Sequence, residues 1–488
     1  MIIYTKSTID RWFIFLFSIP MKKDNRPSSP AQKEGSKLKT GQTIEVAISA
    51  INDDGFGVSC YENTPILIAG TFPGESIRAR ISYVGRRETF ASISRIIKYS
   101  PDRLTNLSCD KAACDGCALL KMKYPAQLAW KKQLVIKFIR RHKTLEKARL
   151  HEVIPSPHQL HYRNSAKLVV SGKFADPVIG IYRRNSHEVL DVAGCAVHHP
   201  LIDTIIEAVK AGIKKGKVPI YNPKSQMGLL RYLVIRISES ANKAMVIFVT
   251  AERSYNELHH LAKHLKNAVP EVSVIAQNIN SSLGNVILGQ KDHFVTKEQV
   301  LSATMGDTKF LISPRSFFQV NSGSARIIYE KVREWAALTG SERVLDLYCG
   351  IGGISLFLAR QCKEVTGIEA VDAAVADAEK NAQLNGIGNC RFIAGDVAKL
   401  IEEMRREDEK VDLIVLNPPR KGCDEQVLKQ ASALGPAKII YVSCSPDTLA
   451  RDLNLLAGLD YETREIQPVD MFPQTPHVEN VALLTKKN

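Results

Sequence analysis

From Arg343 onward the chain alternates short apolar runs with amphipathic segments, and this alternation restricts the fold more than any other feature of its 488 residues. Val344–Tyr348 reads as a buried strand, followed by glycines and a helix-like Ile354–Gln361. Val365–Glu369 is a second strand, Ala373–Leu384 a helix and Cys390–Ala394 a third strand. Leu413–Leu416 is a fourth strand and Ile439–Ser443 a fifth. Parallel neighbours need a crossover connection, so strands separated by helices imply a doubly wound α/β sheet. In such sheets ligands gather outside the carboxyl ends of the strands, so the residues that end each run are the candidates for chemistry.

The preceding segments read differently. Between Leu38 and about Ser100 the strands are short and punctuated by Gly and Pro, with Ile44, Val46 and Ile48 alternating, then Ile77, Ala79 and Ile81. This pattern predicts a small β-barrel of the OB type. Arg78, Arg80, Arg86 and Arg87 would give it a basic face for single-stranded nucleic acid. A cysteine-rich loop, Cys109–Cys117, leads to a basic helix expected near Gln127–Lys143. Residues 151–312 hold strand-like runs such as Lys167–Val170, Val178–Tyr182, Tyr232–Ile237 and Met245–Thr250, the mark of a mixed α/β central domain. The expected division is a disordered basic tail 1–37, a barrel 38–99, a central domain 100–312 and an α/β domain 313–488.

The formal net charge is +15. The first 40 residues carry eight Lys or Arg against three Asp or Glu, so most of the excess lies in the body of the chain. Such a balance suits a polyanionic partner, nucleic acid before membrane. The apolar stretch Trp12–Pro20 is too short to cross a bilayer, which takes about 20 residues. Met21 is an alternative start. The expectation is a cytoplasmic monomer with no membrane partner.

Three groups of residues point to chemistry. The first is Asp346-Leu347-Tyr348-Cys349-Gly350-Ile351-Gly352-Gly353, which ends a strand and opens a helix. Its glycines let the backbone approach a ligand where a side chain would collide. Glu369, ending the next strand, can accept hydrogen bonds from ribose hydroxyls, and Asp396 follows the third strand. The dinucleotide fingerprint G-x-G-x-x-G is absent. The Asp-x-x-x-Gly-x-Gly form resembles the Rossmann-like class I methyltransferases, which use S-adenosylmethionine. The second group is Asn417-Pro418-Pro419-Arg420, Ser443-Cys444-Ser445-Pro446 and His477-Val478-Glu479-Asn480, each beside a later strand. A cysteine and a carboxylate suit methylation at carbon 5 of uracil. A thiolate added at carbon 6 makes carbon 5 nucleophilic, and a base then removes the carbon 5 proton. Cys444 and Glu479 fit these roles, with Arg420 a candidate to favour the thiolate. The third group is Cys109, Cys114, Cys117 and the distant Cys195, whose spacing suits zinc or an iron–sulfur cluster equally.

Together these motifs resemble the RumA/TrmA family of RNA uracil-5 methyltransferases, over almost the whole chain from about residue 38. The resemblance implies that the barrel is a TRAM domain, and that Gln319, in Phe317-Phe318-Gln319-Val320-Asn321, contacts the cofactor together with Tyr348, Gly350, Gly352, Glu369, Asp396 and Asn417. It implies that Cys444 is the nucleophile and Glu479 the base. It also turns the four cysteines into ligands of a 4Fe-4S cluster. The family usually has Asp where this chain has Asn417, whose amide can pair with uracil N3–H and O4. The barrel and the cysteines resemble the ribosomal-RNA branch, so the expected substrate is a uridine of large-subunit (23S) ribosomal RNA. Transfer RNA is the first alternative. Methylation of a base amine is a second, since Asn-Pro-Pro occurs in those enzymes, and a non-catalytic RNA-binding protein is a third.

Overall fold

The computed structural model describes residues 38–487, apart from 87, 107, 108, 110, 112, 113, 185 and 285. The expectations for the tail, Trp12–Pro20 included, and for Arg87 fall outside the described residues. The chain divides into two compact units. One runs to Lys131 and includes Gln474–Pro476, and the other holds Lys132–Pro473 and His477–Asn488.

The first unit is built on six strands: β1 (Thr43–Ala47), β2 (Ala50–Ile51), β3 (Gly57–Tyr61), β4 (Thr64–Ile68), β5 (Ser76–Val84) and β6 (Thr89–Lys98). Their order in one sheet is β1-β5-β6-β4-β3-β2, and all pairs except β4 with β6 are antiparallel. Period-two alternation turns Ile44, Val46, Ile77, Ala79 and Ile81 inward onto Ile66 and Ile68. Arg78 faces out and pairs with Glu45 across β1 and β5 at 2.6 Å, so part of the expected basic face is neutralised. Gly57 is needed where β3 passes Thr71, because an added Cβ would lie 2.0 Å from Oγ1. The basic helix α1 runs Tyr124–Ile139, starting and ending earlier than expected. Pro125 is tolerated only in a first turn, which places the start. Arg140, Arg141 and Lys143 therefore follow the helix rather than belong to it.

The second unit contains two large sheets around a shared core. After β7 (Arg149–Leu150) come β8 (Ser165–Lys173), β9 (Asp176–Tyr182), β10 (Val189–Asp191), α2 (Pro200–Gly216), β11 (Leu230–Ser238), β12 (Lys243–Thr250), α3 (Asn256–Ala268), β13 (Val272–Ile279) and β14 (Lys291–Phe294). Strands β8 to β14 form a seven-stranded sheet, β10-β9-β8-β11-β12-β13-β14. Leu233, Ile235, Val246 and Phe248 face α2 and α3. Their alternate neighbours Val234, Met245, Ile247 and Val249 face the other way, into a core shared with Val344, Leu413 and Ile440. Both faces are covered, which explains why β11 and β12 read as continuous apolar runs.

A hairpin, β15 (Leu301–Met305) and β16 (Thr308–Ile312), precedes α4 (Ser322–Ala336). The remaining elements are β17 (Arg343–Leu347), α5 (Gly353–Ala359), β18 (Glu364–Glu369), α6 (Asp372–Leu384), β19 (Cys390–Ala394), α7 (Val397–Arg406), β20 (Leu413–Leu416), α8 (Glu425–Ala433), β21 (Lys438–Ser443), α9 (Pro446–Ala457), β22 (Tyr461–Val469) and β23 (Glu479–Lys486). They form an eight-stranded sheet, β19-β18-β17-β20-β21-β23-β22-β7. The five expected strands are there, and β17 to β21 are parallel. Strand order reverses between β17 and β20, the position where such sheets open a binding crevice. The antiparallel edge made by β22 and β23 was not anticipated, because β22 (Tyr-Glu-Thr-Arg-Glu-Ile-Gln-Pro-Val) is half polar.

Candidate active site

Strand β17 delivers the chain into a sharp turn. Tyr348 adopts φ 65°, Gly350 58° and Gly352 81°, all left-handed. For Tyr348 this conformation costs about 1–2 kcal/mol, so the surroundings must hold it. They do so with two backbone bonds, since Tyr348 N–H and Cys349 N–H both donate to the Ile368 carbonyl. An added Cβ at Gly352 would meet the Phe392 ring at 3.2 Å, and one at Gly353 would meet Tyr329 Oη at 2.7 Å. At Gly350 nothing lies within 4 Å, so that side of the loop is open to a ligand.

Glu369 ends β18 and clasps the loop. Its Oε2 accepts from Gly350 N–H and its Oε1 from Val371 N–H, both at 3.1 Å. Burial raises its pKa, and these backbone donors restrain the rise. Each carboxylate oxygen keeps a second lone pair for ribose hydroxyls. Asp396 follows β19 and is exposed. Its Oδ1 caps α7 by accepting from Lys399 N–H at 3.1 Å, and its charge acts on the Tyr348 phenol. The residues present thus suit a nucleoside-bearing cofactor: an open glycine turn, an adjoining acid and a second acid one strand further along.

Cys444 follows the last residue of β21, and Glu479 is the first residue of β23. The register pairs Ser443 with Asn480 in an antiparallel ladder, so Cys444 and Glu479 lie immediately beyond that rung, one on each chain segment. Arg420, just after β20, donates a hydrogen bond to the Cys444 thiol, and its charge reaches Glu479. Burial and then the Glu479 charge push the Cys444 pKa up to about 12, while Arg420 pulls it down. Burial lifts Glu479 to about 7, again against Arg420. The resting pair is a protonated thiol beside a carboxyl poised near neutrality, which suits an acid–base group. Asn417 is half-buried beside this cluster, and its N–H donates to the Leu347 carbonyl at 3.3 Å.

A further residue, Tyr329, was not singled out from sequence, whereas Asp346 opens the glycine motif read there. Tyr329 on α4 is buried, hydrogen-bonded to the Gln319 side chain and within electrostatic reach of Asp346 and Glu479. It links Gln319 to the glycine turn. Asp346 is buried at the end of β17. Its Oδ2 accepts from Ser355 Oγ at 2.6 Å, while its Oδ1 has no hydrogen-bond partner among the described residues, and burial raises its pKa to about 7. No periodic signal marks Tyr329, which reads as one more apolar position of an amphipathic helix.

The matches to known proteins agree with this geometry. The profile of the tRNA (Uracil-5-)-methyltransferase family matches residues 123–487. This chain belongs to that family. It is 59% identical to an uncharacterized RNA methyltransferase of Geobacter sulfurreducens, over 93% of this chain and 92% of that one. It is 37% identical to another from Halalkalibacterium halodurans, over 93% and 100%. Among solved structures it is similar to the tRNA (uracil-54, C5)-methyltransferase of Pyrococcus abyssi in complex with S-adenosyl-L-homocysteine. That match has TM-score 0.74 and 29% identity and covers 91% of this chain and 100% of that one.

The cysteines expected to hold a metal give a different picture. No three His, Cys, Asp or Glu side chains among the described residues are grouped to hold a metal ion. Cys109, Cys114 and Cys117 are each half-buried, and Gly116 N–H donates to Cys114 Sγ at 3.4 Å. Cys195 is hydrogen-bonded to His198, whose Nδ1 lies 3.6 Å from Asp203 Oδ1. Burial opposes ionisation of Cys195, but the hydrogen bond and charge of His198 outweigh it and lower the pKa. Among the described residues no helix is long and apolar enough to cross a membrane.

Proposed function

We propose that this family member methylates carbon 5 of a uridine in RNA with S-adenosylmethionine, using Cys444 as nucleophile and Glu479 as base. The observation that carries the reading is the cluster of Cys444, Arg420 and Glu479 at the ends of β20, β21 and β23, beside the open glycine turn that follows β17. The relative bound to S-adenosyl-L-homocysteine supports the choice of cofactor.

When bound, the cofactor supplies an electrophilic methyl group. Gly350 and Gly352 give its approach room, Glu369 orients the ribose, and Gln319, Tyr348, Asp396 and Asn417 complete the contacts. Asn417 also offers its carbonyl to uracil N3–H and its amine to O4. Arg420 stabilises the Cys444 thiolate as the thiol passes its proton to solvent water, which leaves the Glu479 carboxylate free for its later role. Cys444 Sγ then bonds to carbon 6, and the ring electrons move to carbon 5 and O4. After carbon 5 has taken the methyl group, the Glu479 carboxylate removes the carbon 5 proton. The electrons of that C–H bond restore the C5=C6 double bond and expel the Cys444 thiolate.

The proposal extends to large-subunit ribosomal RNA as substrate and to a four-part division at 37, 99 and 312. It includes TRAM-like RNA binding by the barrel and a cytoplasmic monomer. A 4Fe-4S cluster on Cys109, Cys114, Cys117 and Cys195 rests on spacing and resemblance alone, and iron and acid-labile sulfide analysis of protein purified without oxygen tests it. Transfer RNA is the second reading, favoured by the substrate in the name of the Pyrococcus abyssi relative. Fragment-mapped nucleoside mass spectrometry of RNA from cells with and without the gene decides between them. Loss of 5-methyluridine from a large-subunit fragment supports the first, loss from transfer RNA alone supports the second, and loss from neither overturns both.

A further inference from the structure

Helix α9 begins two residues after Cys444, and one stripe of it reaches back onto the loop that carries Arg420. Thr448 Oγ1 donates to the Arg420 carbonyl at 3.1 Å. Arg451 Nη2 donates to the Lys421 carbonyl at 3.0 Å and the Cys423 carbonyl at 3.3 Å. Asp452, 1% exposed, accepts from Cys423 N–H at 2.8 Å and from Tyr441 Oη at 2.6 Å through Oδ2. Its Oδ1 accepts from Arg451 Nε at 2.7 Å. Residues 448, 451 and 452 share a helix face by their spacing. Gly422, at φ 76°, is pressed so closely that a Cβ would lie 2.5 Å from both Arg451 Nη2 and Asp452 Oδ2. Cys423 also hydrogen-bonds the Tyr348 phenol, so the same clamp reaches the strained turn after β17.

We infer that Thr448, Arg451 and Asp452 are positioning residues that fix the 417–423 loop so that the Arg420 guanidinium meets the Cys444 thiol. The helix that follows the nucleophile thereby holds the nucleophile's helper. None of the three touches the reacting atoms. Their effect passes through the backbone of Arg420, Lys421 and Cys423, whose carbonyls and N–H groups they occupy. This inference rests on the role proposed above for Cys444.

The test is alkylation of Cys444 by iodoacetamide in the full-length protein, followed by mass spectrometry of the Cys444 peptide as a function of pH, for Thr448→Val, Asp452→Asn and Arg420→Gln. Thr448→Val keeps the shape and frees the Arg420 carbonyl. Asp452→Asn keeps the shape and sets an amide against the donors. Arg420→Gln shows the whole effect of losing the guanidinium. Expected is an alkylation rate, compared at the same pH below the thiol's own pKa, lowered about tenfold in the first two variants, toward Arg420→Gln. With RNA, kcat should fall roughly 10- to 100-fold while KM stays within about twofold, as misplacing a group by an ångström would produce. An unchanged alkylation rate in Thr448→Val and Asp452→Asn, with only the melting temperature lowered, overturns the inference and leaves a structural clamp. If Asp452→Asn does not fold, Thr448→Val decides alone. The alkylation profile needs no turnover. Wild-type protein inactive on uridine would therefore defeat the proposed function while leaving this outcome readable.

Discussion

The seven-stranded and eight-stranded sheets share a core yet differ in how they hold their buried amides and acids. In the first, Gln277 donates to Thr250 Oγ1 and the Glu252 carbonyl, and Asn278 donates to Asp292 and the Gly289 carbonyl. These groups complete a lattice of hydrogen bonds. In the second, polar groups at the carboxyl ends of the strands are left in tension. Asp346 has one oxygen without a hydrogen-bond partner among the described residues, Glu479 is lifted to about 7 and Cys444 to about 12. The lesson is that burial alone does not mark a site. A buried polar group whose partners are incomplete, placed where a parallel strand ends, does.

Four substitutions would sharpen or break this contrast. Cys444→Ala should have the largest effect, lowering methylation by roughly 10⁴-fold or more while cofactor affinity stays near wild type. Nucleoside mass spectrometry and calorimetric titration with S-adenosylmethionine measure the two. Retained methylation would remove the chemical meaning of the strained end.

Glu479→Gln should slow turnover by roughly 10²–10⁴-fold and let an RNA–protein adduct accumulate, visible on a denaturing gel. It should also change stability with a definite sign. Between the ordinary glutamate value of 4.5 and about 7 the folded state holds the proton more tightly than the unfolded state. Wild-type stability therefore falls as pH rises through that window, by up to about 3 kcal/mol for this group. The Gln variant lacks that fall, so its melting temperature at pH 8 should exceed that of wild type. An identical pH dependence in the two proteins would mean that Glu479 is not held as described.

Gln277→Ala should do the reverse, losing about 1–3 kcal/mol of stability in urea titrations while leaving cofactor affinity unchanged. A loss of catalysis without a loss of stability would erase the distinction between the sheets. Asn417→Asp should have the smallest effect on stability and act on base preference, since a carboxylate cannot donate to uracil O4. Competition between uridine- and cytidine-containing oligonucleotides reads this out, and no change in rate or preference rules out pairing through Asn417.

Much of the eight-stranded sheet was legible because local and global signals agree there. Each parallel strand is an apolar run, each crossover an amphipathic helix, and the glycine turn sits at their junction. Cys444, Glu479 and Arg420 could be named one by one, but their meeting depends on an antiparallel rung between residues 37 apart, which no local pattern encodes. Tyr329 and Asp452 escaped for a related reason. Each looks like an ordinary position of an amphipathic helix, and only the distant loop it touches gives it a role. The cysteines show the opposite case. Their spacing is legible, while among the described residues no metal-like grouping is found and Cys195 is hydrogen-bonded to His198.

The rung between Ser443 and Asn480 has a consequence for how this chain can change over time. A ladder has a repeat, and neighbouring strands keep a separation of about 4.8 Å whatever side chains they carry. Substitutions around Cys444 and Glu479 can therefore accumulate without changing the spacing of the two. Insertions and deletions are another matter. Removing one residue within β21 or β23 would turn one partner to the opposite face of the sheet while leaving its identity intact. A descendant sequence could thus keep every residue of the motif and still have lost the pairing, and an alignment column by column would not notice.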